Sequence, residues 1–145
     1  MSEQDRYLDN GDGTITDTQH GLMWKQSDSM IDLEKWVNYQ DGVDYVRKIS
    51  EEQFAGYDDW RLPTREEMST LFDKSFSNTD KFGKTIHISD RFASGGGFSI
   101  IAKMVDGRIR TFVLNLRTGE FDHPDGLWTL SESARAVRKF STHEK

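Results

Sequence analysis

Apolar residues along the chain form runs of three kinds. Near the start, Tyr7-Leu8, Ile15 and Leu22-Met23-Trp24 are short clusters separated by Asp9-Asn10-Gly11-Asp12-Gly13 and by His20-Gly21. Asn-Gly and Asp-Gly supply the positive φ angles that tight hairpins need, so this stretch predicts three short strands joined by turns. Between 32 and 49, Leu33, Trp36, Val37, Val43, Val46 and Ile49 recur at spacings that fit one helix face, with Gly42 as the weak point. A second helix is predicted just beyond Pro63, where Thr64 and Glu67 form a Thr-x-x-Glu capping box ahead of Met68, Leu71 and Phe72.

Residues 74–97 are polar and without period, and Gly95-Gly96-Gly97 reads as a flexible hinge or a tight bend. Residues 98–105 and 108–116 flank Asp106-Gly107, which predicts a hairpin; a turn at 117–119 leads to Glu120-Phe121. A loop over 122–133 then precedes a last strand at 134–140. Strands, helices and strands again predict a single-domain α+β fold, with no repeat and no second domain.

Composition narrows the chemistry. A chain of 145 residues with nine Phe, four Tyr and four Trp can build one core. It has no cysteine, which excludes disulfides, thiolate metal sites, iron–sulfur clusters and a cysteine nucleophile. Neither a long apolar run nor the basic and apolar regions of a signal peptide is found, so a soluble, cytoplasmic protein with no membrane partner is expected. A net charge of −6, with basic residues scattered among acidic ones, argues against nucleic acid as a partner.

Two longer motifs carry a resemblance. Residues 9–17, Asp-Asn-Gly-Asp-Gly-Thr-Ile-Thr-Asp, with Gly21-Leu22-Met23-Trp24 after them, form the first; Gly56-Tyr57-Asp58-Asp59-Trp60-Arg61-Leu62-Pro63-Thr64 forms the second. With shorter segments at Phe92-Ala93-Ser94-Gly95 and Arg135-Ala136-Val137-Arg138, the chain resembles the C-terminal domain of the Legionella collagen-like protein from about residue 7 to 138. The resemblance implies a C-type-lectin-like fold: two helices packed on a small, mostly antiparallel sheet, with long loops that present ligands. It also implies kinship with formylglycine-generating, sulfatase-modifying domains, whose copper chemistry needs cysteines that this chain lacks. The resemblance further implies a Cys at the position of Ala136 and another on the first helix near Val46, a suspected pair in exported members; Val46 and Ala136 are apolar here.

Candidate site residues are weighed on that frame. Asp12-Gly13-Thr14-Ile15-Thr16 has the look of a calcium loop, but Leu8 and Gln19 then fall at ligand positions, so a hairpin capped by its own Asp side chains is expected instead. Trp24, Trp60, Arg61, Leu62, Pro63, Thr64 and Glu67 are expected to be structural, with Arg61 pairing to an acidic group. His123-Pro124-Asp125 occupies the loop where lectins carry a calcium- and sugar-binding triplet, but imidazole is a poor ligand for a hard cation. Trp128 is either a plug at the core edge or a flat face for a sugar or a partner. Arg91, Ser94, Asp122, His123, Asp125 and Trp128 are the expected ligand contacts.

No His pair has metal-ligand spacing, no Gly-x-Ser-x-Gly elbow is found, and no metal, cofactor or catalytic residue is implied. The expected function is a non-catalytic recognition module that binds a protein partner through its C-terminal loops. One alternative is a lectin for glycans or polyanions, which a basic patch from Arg108, Arg110, Arg117, Arg135 and Arg138 would support. Another is a hydrolase whose carboxylate pair meets only in the fold, one carboxyl having a raised pKa.

Overall fold

A computed structural model describes residues 6–103, 112–122 and 132–140, with Asp122 as backbone only. The N-terminal clusters form β1 (Tyr7–Asp9), β2 (Thr14–Asp17) and β3 (Leu22–Lys25), an antiparallel meander. The turn between β1 and β2 is built as the sequence indicates. Asp9 accepts the Gly11 N–H, Asp12 accepts the N–H and hydroxyl of Thr14, and Gly11 and Gly13 take φ angles of 80° and 90°. These carboxylates are occupied in closing a hairpin.

The helical stretch is divided. Helix α1 (Ser29–Leu33) is capped by Asp28 and ends at Glu34, which sits in the left-handed region at φ 60°. Val37 then bridges to Glu132, and α2 (Tyr39–Glu51) starts from a reciprocal box between Asn38 and Asp41. The expected single helix over 32–49 is therefore wrong at its start: Leu33 is exposed, and the weak point lies at Glu34 rather than Gly42. Gly42 stays helical because a Cβ there would lie 3.3 Å from the Cβ of Ala134, so it lets the helix approach closely. A 3₁₀ turn (Phe54–Gly56) follows, then α3 (Arg65–Ser69) with the Thr64/Glu67 capping box formed in both directions.

The stretch over 74–97 is more ordered than its pattern suggests. It contains the small hairpin β4 (Asn78–Thr79) and β5 (Thr85–Ile86), and it sends Phe76, Ile86, Ile88 and Phe92 into the core. Asn78 ties it together by donating to the carbonyls of Ser89 and Phe92, each at 3.0 Å. The glycine run is a packed bend: Gly96 and Gly97 are buried, and a Cβ on Gly96 would lie 2.5 Å from Asp28 Oδ2.

A second sheet orders β6 (Ser99–Ile101), β7 (Val113–Asn115) and β8 (Phe121–Asp122) antiparallel; the Asp106-Gly107 turn lies outside the described residues. The last strand, β9 (Val137–Lys139), is shorter than expected and joins β3, so the first sheet has the order β1-β2-β3-β9. Residues 133–136 lie outside any strand but are held by backbone bonds to Ser29, Lys25 and Ile101. The fold is α+β, with three α-helices wholly within the described residues instead of two.

Two apolar clusters fill the interior. One gathers Tyr7, Ile15, Trp24, Met68, Leu71, Phe92 and Leu114 around the first sheet, and the other joins α2 to Trp60, Leu62, Ala134 and Ala136. Val46 and Ala136 both belong to the second. Burial of such side chains, each worth about 1.5–3 kcal/mol for a Val, Leu, Ile, Phe or Met, is what holds α2 against the sheet.

Candidate functional site

The Trp60-to-Glu67 segment is a structural brace. Trp60 and Leu62 are buried, and the Trp60 indole donates to the Phe54 carbonyl at 3.0 Å. Arg61 exchanges backbone hydrogen bonds with Val137, which places the Trp-Arg-Leu-Pro motif directly beside the C-terminal Arg-Ala-Val-Arg motif. The Arg61 guanidinium holds Glu67 through two nitrogens at 2.7 and 2.8 Å. Burial of the Glu67 carboxyl works to raise its pKa, but Arg61 and the Thr64 N–H outweigh this and keep it below the ordinary carboxylate range. Trp24 is likewise fully buried.

Arg91 and Ser94 do come together, on a groove of about 620 Å³ that Asp9, Gln26, Thr79 and Asp90 also line. Arg91 stands out there. The other arginines of β-strands and turns are engaged: Arg6 with Asp17, Arg117 with Asp80 and Arg138 with Asp59. Arg91 makes no ion pair among the described residues, and its Nε is buried without an acceptor. A buried donor left unmet costs about 1–3 kcal/mol, which is the kind of deficit a ligand oxygen relieves.

Next to this groove lies an aromatic patch that sequence reasoning missed. Backbone bonds from Gly95 to Thr79 and from Lys81 to Gly96 lock the two segments together, and Phe82 projects just beyond them. Phe82 is 57% exposed, the most exposed large apolar side chain among the described residues. Its ring stacks on Trp36 at 6.3 Å, and Phe98 meets Trp36 edge-on at 5.3 Å. Lys81 Nζ lies 5.6 Å from the Trp36 ring and 5.4 Å from Phe82, while the Arg117 guanidinium covers Phe98 at 4.3 Å. Among the described residues the Asp80–Arg117 pair anchors this charge, and burial of Asp80 is outweighed by Arg117 and backbone N–H groups, so its pKa is lowered.

The patch also borders Glu132. Glu132, where the described chain resumes, bridges to Val37 and accepts a hydrogen bond from the Ser99 hydroxyl at 2.7 Å, so it stands next to Trp36 and Phe98. His123, Asp125 and Trp128 lie outside the described residues, and Asp122 is placed only through its backbone pairing with Val113. Trp36, Phe82 and Phe98 are far apart in sequence, and Trp36 reads as part of a helix face. Nothing local marks them as a cluster.

The proposed basic patch does not form from its described members. Arg135 is buried, with NH1 donating to the carbonyls of Lys25 and Gln26, and Arg138 is buried against Asp59. Arg117 serves Asp80, and Arg108 and Arg110 lie outside the described residues. The carboxyls with displaced pKa values, Asp17, Asp32, Glu67, Asp73 and Asp80, are all displaced downward, the opposite of a poised general acid. No helix among the described residues is long and apolar enough to cross a membrane.

A search of curated proteins finds no match to the chain. The Lcl C-terminal domain family matches residues 13–138, a span that includes the Trp60-to-Thr64 brace, the Arg91 groove and the aromatic patch, and ends on Arg138 in β9; the chain belongs to that family.

Proposed function

We propose that this protein is a non-catalytic recognition module of C-type-lectin-like type, working in the cytoplasm, that binds a protein partner. The face is the one where the aromatic patch, Glu132 and the Arg91 groove meet. One observation carries the reading: Phe82 lies mostly exposed on Trp36, with cations resting on the rings. An aromatic anchor bordered by polar groups is the composition of a protein-binding hot spot. Lys81 and Arg117 lean on the ring faces that a sugar would otherwise stack upon, and Lys81, which is not held by Asp80 as Arg117 is, favours a partner that offers a carboxylate beside an apolar side chain.

The polar groove supports a second reading, a glycan ligand. Asp9 and Asp90 can accept hydroxyl protons there while Arg91 donates to hydroxyl oxygens.

The test is affinity capture from host cytosol by the wild type, by Phe82→Ser and by Arg91→Ala, followed by calorimetry with the purified partner. A stoichiometric protein bound by the wild type, and at least about tenfold more weakly by Phe82→Ser, supports the proposal, being the loss of one hot-spot residue. Capture that is insensitive to both variants, or a saccharide retained on a glycan panel and lost only with Arg91→Ala, overturns it.

A further inference from the structure

A separate groove runs between α2 and the Trp60-to-Leu62 segment. It encloses about 320 Å³ over a floor made by Val43, Val46, Trp60 and Leu62. Arg47 and Arg61 stand on its rim with Lys103, and among the described residues no carboxylate lines it. This is unusual in a chain with 25 acidic and 19 basic residues.

The three cations differ in availability. Arg61 has both terminal nitrogens committed to Glu67. Arg47 reaches Asp44 at 3.5 Å, but both side chains are more than half exposed, and an ion pair of that kind is worth little. Lys103 makes no ion pair among the described residues, and its backbone N–H is held by the Pro63 carbonyl at 2.6 Å. A weakly paired Arg47 therefore stands on the helical bank and Lys103 on the opposite bank, with an apolar trough between them.

We propose that this groove is a second docking site, for a short acidic segment of a protein partner with an apolar anchor residue. The anchor would enter over Val43 and Leu62, and carboxylates before and after it would meet Arg47 and Lys103. Two arguments favour a peptide. The volume is at the low end for a small-molecule pocket, and an apolar floor flanked by cations suits an apolar anchor residue with acidic neighbours. The charge pattern selects acidic sequences by attraction and rejects basic ones by repulsion. The site shares no residue with the Phe82 face, so each stands or falls alone.

The experiment is selection of a random-peptide phage library on the full chain, followed by affinity measurement of the enriched peptides. The wild type is compared with Arg47→Glu/Lys103→Glu and with Phe82→Ser. Enriched peptides should carry two or more acidic residues next to Leu, Ile, Phe or Trp. They should bind the charge-reversed variant about tenfold or more weakly, the scale of losing charge-assisted contacts, and bind Phe82→Ser unchanged. Both reversed positions are exposed, so the variant should melt with the wild type. Peptides without acidic excess, equal binding to the reversed variant, or no enrichment would overturn the proposal. So would charge-dependent binding to phosphatidylserine vesicles with no acidic peptide selected.

Discussion

Arg61 and Glu67 face each other across the first turn of α3 in a fork-to-fork pair, and the same carboxylate also accepts the Thr64 N–H at 3.0 Å. One side chain thus caps a helix, holds an arginine and, through the Arg61 backbone, braces β9. Arg61→Ala should destabilise the protein by about 1–3 kcal/mol, because it leaves a largely buried carboxylate short of two donors. Glu67→Gln keeps the cap but loses the charge, and should cost less. Urea unfolding of both variants checks the order.

Acid should weaken the β1–β2 pairing. Asp17 is fully buried and, against the upward push of burial, Arg6 and His20 hold its pKa below the ordinary value. Its stabilising effect is complete above the unfolded carboxyl pKa of about 4 and fades as pH falls toward the folded value, since the unfolded chain takes up the proton more readily. Melting temperature should therefore drop on acidification below about pH 4. Asp17→Asn should flatten that drop while losing stability at neutral pH, where Arg6 is left without its carboxylate. Melting curves across the acid range decide this.

The glycine bend offers a steric test. Gly96→Ala would press a methyl onto Asp28, whose carboxylate caps α1 and accepts the Gly97 N–H at 2.9 Å. A loss of about 2–3 kcal/mol is expected, from overpacking together with a weakened cap. Gly83→Ala meets nothing within 4 Å and bears only the strain of a φ of 76°. It should cost about 1 kcal/mol. If the two variants unfold at the same denaturant concentration, the packed-bend account is wrong.

Val46 and Ala136 lie in one apolar cluster, and the resemblance noted in the sequence implies cysteines near the first and at the second. The double variant Val46→Cys/Ala136→Cys should oxidise to an intramolecular disulfide and gain about 2–4 kcal/mol over its reduced form. Mass spectrometry of the oxidised protein, with melting before and after reduction, reads both results. A double variant that stays reduced under mild oxidant would separate the two positions.

What could be read from the sequence was whatever short-range chemistry determines. The Asp9-to-Gly13 hairpin and the Thr64/Glu67 box are set by residues a few positions apart, and both formed as expected. The start of α2 was open to the same logic through Asn38 and Asp41, but the apolar period running on to Leu33 hid it. Phe76, Ile88 and Phe92 reach the core from a stretch with no period, because Asn78 and Asp80 fold it by side-chain bonds to backbone groups. The aromatic patch is assembled wholly by tertiary structure. Arg91 and Ser94 were found as candidates because they flank the glycine bend, whereas the fate of Arg135 and Arg138 depends on burial that spacing does not encode.

The sheet order β1-β2-β3-β9 also governs when the protein can fold. β1, β2 and β3 leave the ribosome together, but their fourth neighbour is made about 110 residues after β3. At about 5–20 residues per second, the open edge of β3 waits on the order of ten seconds for β9. During that interval Leu22, Met23 and Trp24 lie in a strand whose outer edge is unpaired, a template for mispairing until β9 closes it.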